Sequence, residues 1–188
     1  MEHIDVRFAK EELAIIKNMV GDRLVKYKCD PFEFSTAVYG IVGICTDRMT
    51  CAFTNMIKTM DYFGADEDVA DFRIARCEET ELKSLIPDTT MIEMPVNRMI
   101  KAIDVVNEHQ RLFEHEKQIY DVWVTRGVVF HLEDDSEIAL EKNVWFSEMI
   151  TVDRGEHLLE KFSPVEEFNE NWEGSYRGEC LREVVTFN

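Results

Sequence analysis

The fold turns on one stretch, Arg126-Gly127-Val128-Val129-Phe130-His131-Leu132-Glu133-Asp134-Asp135-Ser136-Glu137-Ile138-Ala139-Leu140-Glu141-Lys142-Asn143. Val128, Phe130 and Leu132 alternate with Gly127, Val129 and His131, as they must if a strand sends neighbours to opposite faces. Glu133-Asp134-Asp135-Ser136 supplies turn chemistry, because Asp and Ser side chains bond their own backbone. Ile138 and Leu140 then resume the alternation. The stretch therefore reads as a β-hairpin. A three-residue loop with a bulge, Asp134 to Ser136, sets Leu132 opposite Ile138 and Phe130 opposite Leu140. A two-residue loop would set His131 against Ile138 and mix the faces, so the buried face selects the former.

An echo lies at Tyr39 to Asn55. Gly40 aligns with Gly127, Val42 with Val129, and Asn55 with Asn143 after one extra turn residue. β-like runs precede both hairpins, Arg23 to Cys29 and Gln118 to Thr125. Self-similarity of this kind points to duplication, although any two hairpins share much of it. The expectation is an α+β, β-rich fold of two related antiparallel β units with a few short helices. A soft boundary near Pro95 divides residues 1–95, with a leading helix, from 96–188, with a capped helix near 164–172. The two units can also pack as a single domain.

Further out, Ile4 to Phe8 reads as a short strand. Lys10 to Val20 reads as a helix, with Leu13, Ile16 and Val20 on one stripe and Gly21 past its end. Asp30-Pro31 breaks the strand before it. Met56 to Met91 is the most acidic connection, with a turn at Tyr62 to Asp66, a strand at Phe72 to Arg76 and a short helix at Glu79 to Ile86. Val96 to Phe113 fits helical spacing yet is β-branched at its centre, and Ile100 to Asn107 is taken as extended, followed by a turn at Phe113 to Lys117. Val144 to Val152 reads as a strand and Glu156 to Phe162 as a helical turn. Ser163-Pro164-Val165-Glu166 has the pattern of a capping box with Pro in the first turn. Leu181 to Phe187 reads as a terminal strand.

With 188 residues, 45% hydrophobic, the composition is that of a globular chain. No apolar run approaches the ~20 residues of a bilayer span, and the N-terminus is not a secretory signal. The five cysteines, Cys29, Cys45, Cys51, Cys77 and Cys180, are odd in number and lack Cys-x-x-Cys spacing. That speaks for reduced cytoplasmic thiols and against a zinc site or disulfide framework. The net charge of −17 disfavours direct binding to nucleic acid or to anionic membranes and permits a basic protein partner. No partner, cofactor or metal is named by any motif.

Candidate chemistry gathers at His131, which stands beside Asp134, Asp135 and Glu137. A histidine among carboxylates is material for a general base or a metal ligand, and an acidic turn carrying a surface histidine is the plainer reading. His109 and His115 are six apart, which does not suit one helical face. Phosphate-binding loops and nucleophile elbows are missing. Gly40 and Gly43 mark close backbone approach or a bulge. Trp123, Trp145 and Trp172 are the large aromatics, with Phe146. Alternation puts Trp123 on the face of Val129 and His131, so Trp123, His131 and Trp145 form the expected binding surface.

The resulting expectation is a non-enzymatic, acidic protein-binding, inhibitory or accessory module. Bacterial immunity-type and phage accessory proteins are often of this kind, an analogy of class without a shared motif. Two alternatives stand beside it. One is a hydrolase-like or metal-assisted enzyme using His131 with the nearby carboxylates. The other is a nucleic-acid mimic.

Overall fold

A computed structural model describes residues 3–188 except Phe34, Tyr62, Phe63, Val144, Trp145 and Asn171. In chain order the elements are β1 (Ile4–Val6), α1 (Lys10–Met19), β2 (Arg23–Cys29), β3 (Ala37–Tyr39), β4 (Ile41–Thr46), β5 (Thr50–Asp61) and β6 (Asp66–Arg76). There follow β7 (Ile92–Glu114), β8 (Lys117–Leu132), β9 (Glu137–Lys142), β10 (Met149–Gly155), α2 (Glu166–Glu170) and β11 (Tyr176–Phe187). Short 3-10 turns occupy Glu79–Glu81 and Leu158–Lys161. The fold is α+β and β-rich, as expected. Among the described residues no helix is long and apolar enough to cross a membrane.

Both hairpins form. In the second, Phe130 faces Ile138 and Val128 faces Leu140. The three-residue loop is Glu133 to Asp135, one residue earlier than expected. Leu132 N–H donates to Ser136 O, Asp135 N–H donates to Leu132 O, and Asp135 takes the left-handed conformation with φ 64°. The shift has a cause across the sheet. Glu133 N–H donates to Met99 O, and its carboxylate accepts from Met99 N–H, so Glu133 has joined β7. Moving the turn by one residue slides the register by two, and the buried face survives.

The sheet closes on itself. β3 and β4 are one run of chain bent at Gly40, which adopts φ 65°. β3 pairs with β10 and β4 pairs with β2, while β2, β7, β8, β9 and β10 pair in sequence. The hydrogen-bonded path therefore returns to its start as a staggered six-strand ring. β2 covers residues 92–99 of β7 and β8 covers 100–114. The 23-residue β7 resolves the ambiguous Val96 to Phe113 as strand.

Ile16 and Met19 of α1 pack into the same core as Leu24, Val42, Ile44, Ile103, Phe130, Leu140 and Ile150. The rings of Phe8, Phe53, Phe72 and Phe130 meet there, Phe53 stacked on Phe72 and edge-on to Phe130, with centroids of contacting pairs 5.5–6.4 Å apart. β5 and β6 continue outward as a long hairpin within the acidic stretch. Two further strand edges are covered by side chains: Glu12 accepts from Ile74 N–H and Asn169 from Cys180 N–H.

The duplication is not confirmed. The aligned glycines have different reasons to be glycine. A Cβ on Gly40 would need a strained φ and meet Leu85, whereas one on Gly127 would lie 2.2 Å from the Leu140 carbonyl oxygen. Aligned Val42 and Val129 also fall in different clusters, Val42 in the main core and Val129 beneath Leu158 and Phe162. Two other expectations need correcting. The helix expected at Glu79 to Ile86 shrinks to the 3-10 turn. α2 begins at Glu166, and Ser163 is an anchor: its N–H donates to Glu141 and its carbonyl accepts from Arg182.

The ring is latched where β3 leaves it. Gly40 N–H donates to Glu148 O and Asn55 N–H to Gly40 O. The buried Asn55 Nδ2 donates to Ser147 O (2.9 Å) and Met149 O (3.1 Å). Asn55→Ala strands both carbonyls and is expected to lower unfolding free energy by about 2–4 kcal/mol in urea titration, with an unchanged slope. A loss below ~0.5 kcal/mol, the scale of an ordinary surface change, would show that the latch is dispensable.

Candidate functional site

His131 sits on the outer face of β8. Its Nε2 lies 2.8 Å from Asp104 Oδ2 and its Nδ1 3.2 Å from Glu137 Oε1. Thr186 Oγ1 donates to the other Asp104 oxygen, and Leu158 N–H donates to Glu137. The hydrogen bond to Asp104 raises the His131 pKa; burial opposes this, and the charges of Asp104 and Glu137 support it. Burial alone would raise Asp104, but the bonds from His131 and Thr186 outweigh it and its pKa is lowered. With both ring nitrogens facing carboxylates, the imidazolium is favoured and no ring lone pair faces a substrate or a metal.

Of the carboxylates singled out beside His131, Glu137 reaches it. Asp134 instead accepts from its neighbour Ser136 and binds Arg98 (2.6 Å), which together hold its pKa down at about 2. Asp135 binds Lys101 (2.8 Å) on an exposed turn. No group of three His, Cys, Asp or Glu among the described residues is arranged around a metal position.

Trp123 is not on the His131 face. Between Val106 and Asn107 the partner on β8 jumps from Gly127 to Thr125, so Arg126 is an extra residue. Such a bulge reverses the alternation beyond it. Trp123 therefore stacks on His109 (4.4 Å between centroids) under the guanidinium of Arg7 (4.3 Å), on the opposite face. His109 Nε2 lies 2.7 Å from Asp121. Trp145, the third residue of the expected binding surface, lies outside the described residues.

The bulged Arg126 belongs to a buried charge network. It meets Glu141 at 3.1 Å and Glu108 at 3.9 Å, and Arg182 meets Glu108 at 2.6 Å. Residues 157–170 are pinned to this network through Ser163, and to the strands beside it by Leu158 N–H donating to Glu137 and Asn169 accepting from Cys180 N–H. On the inner side of β9, burial pushes the pKa of Lys142 down to about 7, Arg126 adds to the shift, and Asp71 and Glu108 partly oppose it. The five cysteines are free thiols. Burial drives Cys29, Cys51 and Cys180 up to about 12, so they are not poised as thiolates.

The covering segment carries what the sequence reading missed. Glu156, Glu160, Glu166, Glu167, Glu170 and Glu173 are all exposed, and Lys161 is the single Lys or Arg from 156 to 173. Among the described residues none of these glutamates pairs with Lys or Arg; Glu160 has His157 at 4.0 Å. Several carboxylates elsewhere are matched, Glu79 and Glu93 by Lys26 and Lys28, Glu179 by Arg111 and Arg177, Asp71 by Arg73, whereas Asp61, Asp66, Glu67 and Asp68 are exposed without such a pair among the described residues. Trp172, which packs on Phe168, ends the ribbon on the surface. Compared with family models, curated proteins and solved structures, the chain matches none.

Two titrations of opposite sign follow. The raised pKa of His131 gives stability that is full below its ordinary 6.5 and lost as pH climbs through the folded value. His131→Gln is expected to cost about 1–2 kcal/mol at acidic pH and to remove that decline. The depressed pKa of Lys142 works the other way. The unfolded chain holds that proton more firmly, so stability rises with pH from about 7 towards 10.5. Lys142→Met should flatten that rise in denaturation curves taken across the range, and an unchanged slope would contradict the assignment.

Proposed function

We propose that this chain is a non-catalytic binding module whose partner is a basic protein, met along the glutamate ribbon of residues 156–173. The observation that carries the reading is the set of six exposed glutamates lacking Lys or Arg partners. Paired surface charges cancel at a distance, whereas an unmatched row projects a field that speeds encounter with an oppositely charged surface. Trp172 supplies an amphipathic ring beside the row, a residue type enriched at binding hot spots. The backbone beneath is fixed by the bonds to Glu137, Glu141 and Arg182, so little ordering cost falls on binding.

A second cluster of exposed carboxylates, Asp61, Asp66, Glu67 and Asp68, sits at the end of the β5–β6 hairpin. It provides an internal control, because changing it alters net charge equally. A basic protein retained from lysate at low salt should elute as salt rises. The triple change Glu166→Lys, Glu167→Lys, Glu170→Lys is expected to weaken retention at least about tenfold, with association slowed most. The triple change Asp66→Lys, Glu67→Lys, Asp68→Lys should leave most of it intact. Equal losses from both would reduce the effect to net charge and remove the ribbon as the site. If DNA competes for the captured protein, the partner is a nucleic-acid binder and the mimic reading gains.

A further inference from the structure

β11 is paired with β7 on one side and bare on the other. Its ladder with β7 runs from Tyr176 to Phe187 without a register shift. Ser175 O accepts from His115 N–H and continues that ladder, whereas Cys180 N–H turns away from β7 to Asn169. Backbone groups alternate in direction along an antiparallel strand. Odd-numbered residues therefore bond β7, and Arg182, Val184 and Thr186 direct their N–H and C=O outward. Beyond Cys180, no strand, loop or side chain among the described residues takes up these groups.

A bare row of amides and carbonyls is a template for another strand, and folds commonly blunt it with Lys, Pro or a bulge. Leu181-Arg182-Glu183-Val184-Val185-Thr186-Phe187 carries none of these. Leu181, Val184 and Val185 are instead 57%, 39% and 37% exposed. β6, another edge of the sheet, is defended by Asp66, Glu67, Asp68 and Asp71. We propose that the 181–187 edge is where two copies of this chain meet, β11 pairing antiparallel with β11 of a second copy across a two-fold axis at Val184.

Register and charge select this occupant. Outward-directed residues must pair with outward-directed ones. Centring on Val184 sets Val184 against its own copy, Arg182 against the partner's Thr186 and Leu181 against the partner's Phe187. The exposed aliphatics are then covered on both faces of the new pair. Centring on Glu183 would oppose like charges, and centring on Val185 would leave Leu181 uncovered. Asn169 ends the pairing, because it already holds Cys180 N–H. The stretch 181–187 has one Arg and one Glu, so it is neutral in a chain of net charge −17, and Arg7 lies 3.9 Å from Glu183. A basic segment finds no unmatched row of carboxylates here. A neutral strand with exposed aliphatics fits, and the same stretch of a second copy is one. The edge does not depend on the glutamate ribbon.

Sedimentation equilibrium of the intact chain over about 10–500 μM should show monomer converting to dimer, as suits a small interface. Repulsion between two copies of this charge opposes association, so added salt should tighten the dimer. Salt releases a basic partner from the ribbon, so failure of one proposal is separable from failure of the other. Val184→Pro deletes an N–H that β7 does not use, a place where an edge strand accepts proline, and should weaken the dimer at least about tenfold. Leu181→Glu, at an exposed position, should do the same with the melting temperature of the monomer unchanged. Amide exchange at Arg182, Val184 and Thr186 should slow as concentration rises. A chain that stays monomeric throughout that range, or a dimer indifferent to both substitutions, would overturn the proposal. So would protection of these amides only in complex with a basic protein, which would give the edge to that protein's strand.

Discussion

Closure of the ring at Gly40 constrains nearly everything else. An open sheet would leave β10 and β3 as bare edges, each a row of unpaired amides and carbonyls. Bending the chain between β3 and β4 lets a single run serve two partners, β10 and β2. The bend needs a positive φ and no side chain, since Leu85 occupies the space a Cβ would take. It also frees backbone groups that the ladder no longer satisfies. Asn55, Glu148 and the Ser147–Met149 carbonyls take them up. Closure thus brings together residues far apart in sequence, and the apolar faces of both hairpins then point into one core.

The outer face follows a different logic. A strand buried on both sides usually carries apolar residues on both. Here β7, β8 and β11 carry Glu108, Arg126 and Arg182 on the covered face, and the cover is the 157–170 segment. Replacing such a network by apolar residues is often neutral or stabilising, whereas removing one member leaves a buried charge uncompensated. What the network supplies is position. Ser163 and Leu158 bond to carboxylates of the sheet, Asn169 to a strand amide, and the glutamates on the far side of the same segment are held at fixed places in water.

How much of this was legible in the residues depends on range. Alternation in Arg23 to Cys29 and in Val128 to Leu140, and the stripe in Lys10 to Val20, report local structure, and those elements formed. The bulge at Arg126 left no trace, for a definite reason. Val122, Val124, Val128, Phe130 and Leu132 are all even-numbered and apolar, so the alternation looks unbroken. The face changes at Arg126, but both faces are buried there, and apolar residues suit either. Trp123 was consequently assigned to the wrong side. The acidic stretch from Met56 to Met91 drew attention by count, yet Glu79 and Asp71 there are matched by basic residues of the fold. Asp61, Asp66, Glu67 and Asp68 stay unmatched there, as do the six glutamates of 156–173, and matching is a property of three dimensions.

Charges in this protein therefore divide by how their cost is met. Glu108, Glu141 and Arg126 are buried, Arg182 is half-buried, and they are answered by one another. His131 is answered on both sides, by Asp104 and Glu137, and becomes more basic as a result. Lys142 is accommodated by a shift towards neutrality. In each of these the protein itself supplies the compensation, and a structural role accounts for the group. Asp30, the glutamate ribbon and the carboxylates at the end of the β5–β6 hairpin differ, because no Lys or Arg among the described residues answers them. For the ribbon, water does so at little cost, and its meaning lies in the long-range field. Asp30 is the exception, with both oxygens closed off from solvent and no donor beside them, so its cost is set against the stability of the fold. Charges whose cost is met inside the fold hold the ring together, and those left to water shape the field around it.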